Sequence, residues 1–286
     1  MTPGWLLREA VKTGTIQIPG AHHALAGRMI EQAGFPACYL SGAAFSASVL
    51  ALPDVGLLTL TELTGQLTQL TTRITIPVIV DADTGFGEVV NVERAVVELE
   101  RAGAAGIQLE DQILPKRCGH LSGKSLVETD AMCNKLRAAA ATRVDPETVL
   151  IARTDARSVE SFDGAIQRAQ RYVDAGADWI FPEALQHIDE FAAFAQQVEV
   201  PLVANMTEFG QSPLLTLQEL SDLGYAAILY PVTLLRVAMK AVETTLALLT
   251  EEGSQHELID LMQSRQELYD LLDYDAYEQR DQEYFQ

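Results

Sequence analysis

Basic residues are scarce in this chain. Lys and Arg total 20 against 40 Asp and Glu in 286 residues, a formal net charge of −20. A surface that acidic repels phosphate backbones and anionic lipid, which argues against nucleic-acid and membrane-surface roles. Cysteine is equally thin. Cys38, Cys118 and Cys133 cannot all pair, and a chain this long needs no disulfide staples, so reduced thiols in a cytoplasm are expected. No apolar run reaches transmembrane length, and the start MTPGWLLREAVKTG lacks a basic segment followed by an apolar one, so the protein is expected to stay where it is made. Low-complexity segments and inter-domain linkers are also missing.

What is present is apolar bulk in a regular order. With 48% apolar and 21% charged residues, the chain can bury one substantial core, and it is read as a single domain over 1–286. Four times a helix-like segment ends at glycine and runs into an apolar stretch, at Gly34, Gly103, Gly176 and Gly224. That is a helix, a glycine C-cap and a buried strand. Further apolar runs lie at 15–20, 77–83, 148–156 and 200–208, giving eight candidate strands. Segments 90–103, 162–176 and 188–198 carry apolar residues at three- and four-residue spacing, which predicts helices between the strands. Eight alternations predict an α/β fold of the (β/α)8 TIM-barrel type, with a doubly wound open sheet as the competitor. Residues from about 232 to 286 form the last barrel helix and a helical extension. There Leu258, Leu261, Met262, Leu268 and Leu271 make an apolar stripe that must be buried on its own barrel or by exchange with another subunit.

A barrel enzyme builds its site at the C-terminal strand ends. Here those ends are polar: Ser41 and Gly42, Asp81 and Asp83, Glu110 and Asp111, Arg153 and Asp155, Glu183, then Asn205 and Thr207. Some of these, Asp111 and Asp155 in particular, read as solvated or capping residues. Asp81 and Asp83 stand two apart on a strand, so their carboxylates share a face, and a cation between them would relieve their repulsion. Oxygen donors of this kind suit Mg2+, with Asp54 and Glu110 holding its waters. The segment DQILPKRCGHLSGKS (111–125) reads as a mobile cationic loop carrying Lys116, Arg117, Cys118, His120 and Lys124. Cys118 and His120 as half of a zinc site is the weaker reading, because Cys38 and Cys133 lack partners at ligand spacing. Cys38, Cys133 and the pair His22 and His23 read as structural.

PVIVDADTGFGE, GIQLEDQILPKRCGH, IARTDAR, IFPEA and LVANMTEFG together resemble, over nearly the whole chain, the isocitrate lyase and phosphoenolpyruvate mutase superfamily. KRCGH (116–120) is similar to the cysteine loop of its lyase branch. The short length and the runs NMTEFG (205–210), YPVTLLRVA (230–238) and MQSRQELYD (262–270) resemble members that cleave 2-methylisocitrate to pyruvate and succinate. The resemblance implies substrate contacts at Ser41, Gly42, Ala43, Cys118, Gly119, Arg153, Glu183, Asn205, Thr207, Arg236 and Arg265. It implies Mg2+ on Asp81 and Asp83, and a homotetramer in the methylcitrate cycle of propionate catabolism. The Ser41–Ala44 stretch departs from the pattern, since some of these lyases carry more glycine there, and Leu121 stands where several relatives carry Arg. Cys118 is then the candidate general acid. For the first base Glu110, Glu183, Lys116 and His120 all stay open, while Arg153 steadies the reacting end. Competing readings are a carboxyphosphonoenolpyruvate phosphonomutase, a dimethylmalate lyase and, from another class, a non-catalytic carboxylate-binding barrel.

Overall fold

The computed structural model describes residues 1–285. All eight expected strands form: β1 Ile16–Pro19, β2 Cys38–Leu40, β3 Val78–Asp81, β4 Gly106–Glu110, β5 Val149–Thr154, β6 Trp179–Pro182, β7 Val203–Asn205 and β8 Ala227–Tyr230. Every pairing is parallel. β2 to β6 follow one another in order, and β1, β8 and β7 make the remaining arc. Single parallel bridges join the two arcs at both seams, Gly20 to Tyr39 and Ile180 to Leu202, so the order around the ring is that of a (β/α)8 barrel.

Alternation along each strand decides what faces where. Ile16, Ile18, Tyr39, Ile79, Val149, Ile151, Trp179, Phe181, Val203, Ala227 and Leu229 pack with one another inside the ring. Their neighbours Cys38, Leu40, Val78, Val80, Ile107, Leu150, Ala152, Ile180, Ala204 and Ile228 pack outward against the helices. The N-terminal helix Pro3–Lys12 adds Leu7, fully buried, to the inner cluster, where it comes near Gly106 at the start of β4. The predicted helices fall at Val89–Arg101, Phe162–Asp174 and Ile188–Gln197, each with its apolar stripe buried. All four expected C-cap glycines have positive φ, from +83° to +108°.

The chain divides into two compact units, Met1–Leu235 and Arg236 onward, the boundary falling inside the helix Thr233–Glu252. In the second unit Leu258 and Leu271 are buried, whereas Leu261 and Met262 of the expected stripe are exposed. No helix among the described residues is long and apolar enough to cross a membrane.

Candidate active site

The parity that fills the barrel also aims the site. Continuing the inward-facing positions by two residues leads from Tyr39 to Ser41, from Ile79 to Asp81, from Ile151 to Arg153, from Phe181 to Glu183 and from Val203 to Asn205. All five of these polar residues are buried. Leu109 and Ala152 face outward, and so do Asp111 and Thr154 beyond them. Asp111 accepts from Thr154 Oγ1 at 2.7 Å, from Tyr172 Oη at 2.8 Å and from the Asp155 amide at 3.0 Å. Burial and the Asp155 charge push its pKa up to about 6. The solvated reading of Asp111 and Asp155 is therefore corrected: both are fully buried, one bracing the helix layer and the other facing the axis beside Arg153.

Asp81, Asp83 and Glu110 bring ligand atoms within 4.8 Å of one another, and all three are buried. At that spacing each like-charged pair costs about 3 kcal/mol at an effective dielectric constant of about 20. Asp81 is positioned by three donors at 3.2 Å: the amides of Gly42 and Asp83, and Gln108 Nε2. Gln108 is itself held by Tyr39 Oη at 2.8 Å. Asp83, with φ +47°, faces Lys116 Nζ at 2.7 Å. Burial pushes its pKa up to about 6 although Lys116 opposes the shift. Neither oxygen of Glu110 accepts a hydrogen bond, and its one ion pair is to Arg153 Nη1 at 3.3 Å. Burial outweighs Arg153 and Lys116 there and raises the Glu110 pKa well above the usual carboxylate range. Unbonded buried carboxylate oxygens grouped in this way fit a hard, oxygen-seeking cation. A cleft of about 400 Å3 lined by Gly56, Leu58, Thr84, Phe86 and Leu114 reaches Asp83 from the side.

Lys116, only 3% exposed, is paired with Asp54 as well as with Asp83. Burial alone would lower its pKa, but Glu110, Asp83, Asp81 and Asp54 prevail and hold it protonated. Arg153 donates to both oxygens of Asp155, from Nε at 3.0 Å and from Nη2 at 3.2 Å, and meets Glu183 at 3.3 Å. Glu183 also accepts from Ala184 N and from Asn205 Nδ2. Burial would raise its pKa, yet Arg153 and His120 bring it down to about 2. Thr207 is buried in the loop after β7, and Ser41 caps the short helix Gly42–Phe45 that carries Ala43.

The cysteine loop has an internal architecture that spacing could not show. Its base is closed by a bridge between Gln112 and Leu126, and Gln112 bonds both the amide and the carbonyl of Arg117 at 2.9 Å. Lys124, buried, ties the carbonyl of Gly119 to Asp155, the latter at 2.8 Å. Gly119 lies so close to the barrel that a Cβ there would come 2.3 Å from Glu183 Cγ and 2.4 Å from Arg153 Nη2. His120 Nε2 lies 2.9 Å from Glu183 Oε1. Cys118 itself is exposed, while Cys38 and Cys133 are buried. His23 caps the helix Ala24–Gln32, and His22 is buried beside it. Arg236 and Arg265 belong to the second unit, at the start of the helices Thr233–Glu252 and Arg265–Leu272.

Tyr39, Gln108 and Gln211, the last bonding His120 Nδ1 through its amide at 2.9 Å, are not among the candidate residues of the sequence. Gln108 had a signal, a lone amide inside the apolar strand GIQLE, which a buried strand tolerates only with partners. Gln211 had none, because its role depends on two loops meeting.

The family model described as phosphoenolpyruvate phosphomutase matches residues 7–250. A 2-methylisocitrate lyase of Aeropyrum pernix is 50% identical over 282 residues, 98% of this chain and 91% of that protein. The structure of a 2,3-dimethylmalate lyase superposes with a TM-score of 0.93 at 32% identity, covering 99% of this chain and 95% of that one. That of a phosphonopyruvate hydrolase in complex with oxalate and Mg2+ gives 0.90 at 32% identity, with full coverage of both chains. Matched by that model over most of its length, with the acidic triad and the cysteine loop folded at the mouth of its barrel, the chain belongs to the phosphoenolpyruvate phosphomutase family.

Proposed function

We propose that this protein is a Mg2+-dependent carbon–carbon lyase that cleaves 2-methylisocitrate to pyruvate and succinate, as in the methylcitrate cycle. The observation that carries the reading is the meeting, at one barrel mouth, of three buried carboxylates, Glu110 among them without a hydrogen bond, with a cysteine loop seated on Arg153 and Glu183. Identity of 50% to a 2-methylisocitrate lyase supports the choice of substrate, and oxalate and Mg2+ in a related hydrolase support the choice of metal. Asp81 and Asp83 would hold the ion, with Asp54 and Glu110 holding its waters. When bound, the ion supplies the positive charge that makes the substrate's C2 hydroxyl easier to deprotonate.

The remaining work falls to side chains. Arg153 offers a fixed guanidinium to the carboxylate of the pyruvate-forming end, with Ser41, Gly42, Ala43 and Gly119 closing round it. Among the base candidates Glu110 is favoured, because neither of its oxygens accepts a hydrogen bond, whereas Glu183 is held by Arg153, Ala184 and Asn205. Lys116 is committed to its carboxylates, and His120 accepts from Gln211 N at Nδ1 while its Nε2, 2.9 Å from Glu183 Oε1, lacks hydrogen-bond geometry. Once the C2–C3 bond breaks, the electron pair is left on the succinyl fragment. Asn205 and Thr207 would steady its carboxylates, and the resemblance implies the same role for Arg236 and Arg265 of the second unit. Cys118 would protonate the new carbon, its backbone neighbour Gly119 already lying against Arg153 and Glu183. We also propose a homotetramer, supported by exposed Val237, Val242 and Leu246 along the helix Thr233–Glu252.

Pyruvate release, coupled to lactate dehydrogenase, tests the reading with 2-methylisocitrate, isocitrate and dimethylmalate in parallel. Metal-dependent release from 2-methylisocitrate, abolished by EDTA and by Cys118→Ser, is expected. No turnover by folded, Mg2+-loaded protein would overturn it, and preference for dimethylmalate would move the assignment to that lyase. Sedimentation at micromolar concentration tests the tetramer.

A further inference from the structure

Two loops that share no strand meet at His120. Gln211 N, in the loop after β7, donates to His120 Nδ1 at 2.9 Å, and Gln211 Nε2 donates to the His120 carbonyl at 2.8 Å. Gln211 Oε1 accepts from Gln186 Nε2 at 3.3 Å, which brings in the loop after β6. Because Nδ1 is the acceptor, the proton of a neutral imidazole sits on Nε2, which lies 2.9 Å from Glu183 Oε1 without hydrogen-bond geometry. The ring is boxed in from the other side by Gly210. A Cβ there would lie 2.6 Å from Nδ1, 2.8 Å from Cε1 and 2.9 Å from Cγ. Gly210 does not have positive φ, so an alanine would meet no left-handed backbone strain, and the three atoms nearest its Cβ all belong to the ring. The ring cannot retreat easily, since the His120 side chain is 6% exposed and Glu183 behind it is 1% exposed.

We propose that Gly210 and Gln211 are positioning residues: they fix the His120 tautomer and seat the cysteine loop, so that Cys118 is presented only when the loop after β7, which bears Thr207, is in place. The two loops then report on each other. A ligand group that orders the β7 loop favours the docked cysteine loop by the same factor by which docking favours that ligand. Cleavage chemistry gains from such a link, because the general acid arrives only when the fragment it must protonate is bound.

The link to catalysis rests on the lyase reading, whereas the docking itself can be measured without turnover. Hydrogen exchange of the 111–125 segment in the full chain with Mg2+ is the readout. Gly210→Ala is expected to speed exchange there at least tenfold, leave the barrel strands unchanged, and lower kcat about tenfold with a much smaller change in KM. Gln211→Ala, which keeps the backbone donor, is expected to give a weaker effect of the same kind. In a His120→Ala background the collision is gone, so adding Gly210→Ala should change loop exchange less than twofold. Imidazole nitrogens labelled with 15N should show His120 protonated on Nε2 in the parent and a mixture of tautomers in Gly210→Ala. Parent-like exchange in Gly210→Ala, or an equal added effect in both backgrounds, would overturn the proposal. Loss of turnover with unchanged exchange would do so too. Normal exchange effects without any lyase activity would leave the docking intact and count against the proposed reaction instead.

Discussion

Replacing Lys124 by methionine isolates what one buried charge does for the cysteine loop. Its ammonium sits 2.8 Å from Asp155 Oδ1, where the gross attraction at an effective dielectric constant of about 20 is about 6 kcal/mol. Desolvating the ammonium offsets part of that, and removing one partner from a buried pair costs about 3–5 kcal/mol in all. Asp155 keeps its two bonds from Arg153, which places the cost near the lower end, about 3 kcal/mol. The barrel can avoid most of this cost. Lys124 also holds the Gly119 carbonyl, so releasing the loop lets water reach Asp155 without disturbing a strand. A penalty of about 3 kcal/mol then shifts the docked-to-undocked ratio roughly 100-fold, while the global stability changes far less.

Hydrogen exchange with mass spectrometry should show amides of segment 111–125 exchanging about 100-fold faster in Lys124→Met. Peptides from β3 to β6 should exchange at parent rates. Pyruvate formation should fall 10- to 100-fold, and Lys124→Arg should recover part of both effects because it keeps the charge. Parent-like loop exchange together with activity within twofold would refute the reasoning, since Lys124 would then be a bystander. A cooperative loss of the whole barrel would refute it differently, by showing that the loop and barrel are one unit.

Other perturbations test other links. Leu7→Ala opens a cavity at the floor of the barrel and should cost about 2–5 kcal/mol in urea unfolding at unchanged kcat per folded molecule. Burial and His23 hold the His22 pKa down to about 4 from 6.5. Above pH 6.5 the ring is neutral in both states, and below it the unfolded chain takes up a proton that the folded one refuses. Stability should therefore drop by about 2 kcal/mol between pH 7 and pH 5, and His22→Gln should flatten that slope. Mg2+ at about 100 times its Kd should stabilise the protein by about 2.7 kcal/mol, read as a thermal shift that EDTA and Asp81→Asn abolish. Succinate should add a further shift only when Mg2+ is present.

Much of the barrel was legible because its signals are local. Glycine C-caps and apolar runs placed all eight strands, and their polar ends marked Asp81, Arg153, Glu183 and Asn205 as site candidates; the parity of the folded strands then turns all four toward the axis. The same parity separates Asp111 from Asp81, a distinction that simple inspection of strand ends did not draw. What stayed hidden depends on long-range meetings. Gln211 is 91 residues from His120, and nothing in either segment announces the other. The choice among bases also needed structure, because Glu110 and Glu183 are the same residue type in similar strand-end positions. Their environments separate them: one lacks any hydrogen bond, and the other is surrounded by Arg153, His120 and Asn205.

On the proposed Mg2+-dependent reading, the charge inventory favours binding of the metal before the substrate. Asp54, Asp81, Asp83, Glu110, Asp155 and Glu183 line the mouth, and among the described residues of the first unit Lys116, Lys124 and Arg153 pair with them. All three bases are already paired with these acids, so the surplus is negative where an anionic substrate must land. Superposed on a chain of net charge −20, that surplus repels a polycarboxylate at the moment of approach. Two positive charges placed among Asp81, Asp83 and Glu110 offset most of the local excess and release Lys116 from sole responsibility for Asp83. On that reading the acidic triad is unfavourable for the empty protein and favourable for the loaded one, and cation binding would be a condition of substrate binding rather than an addition to it.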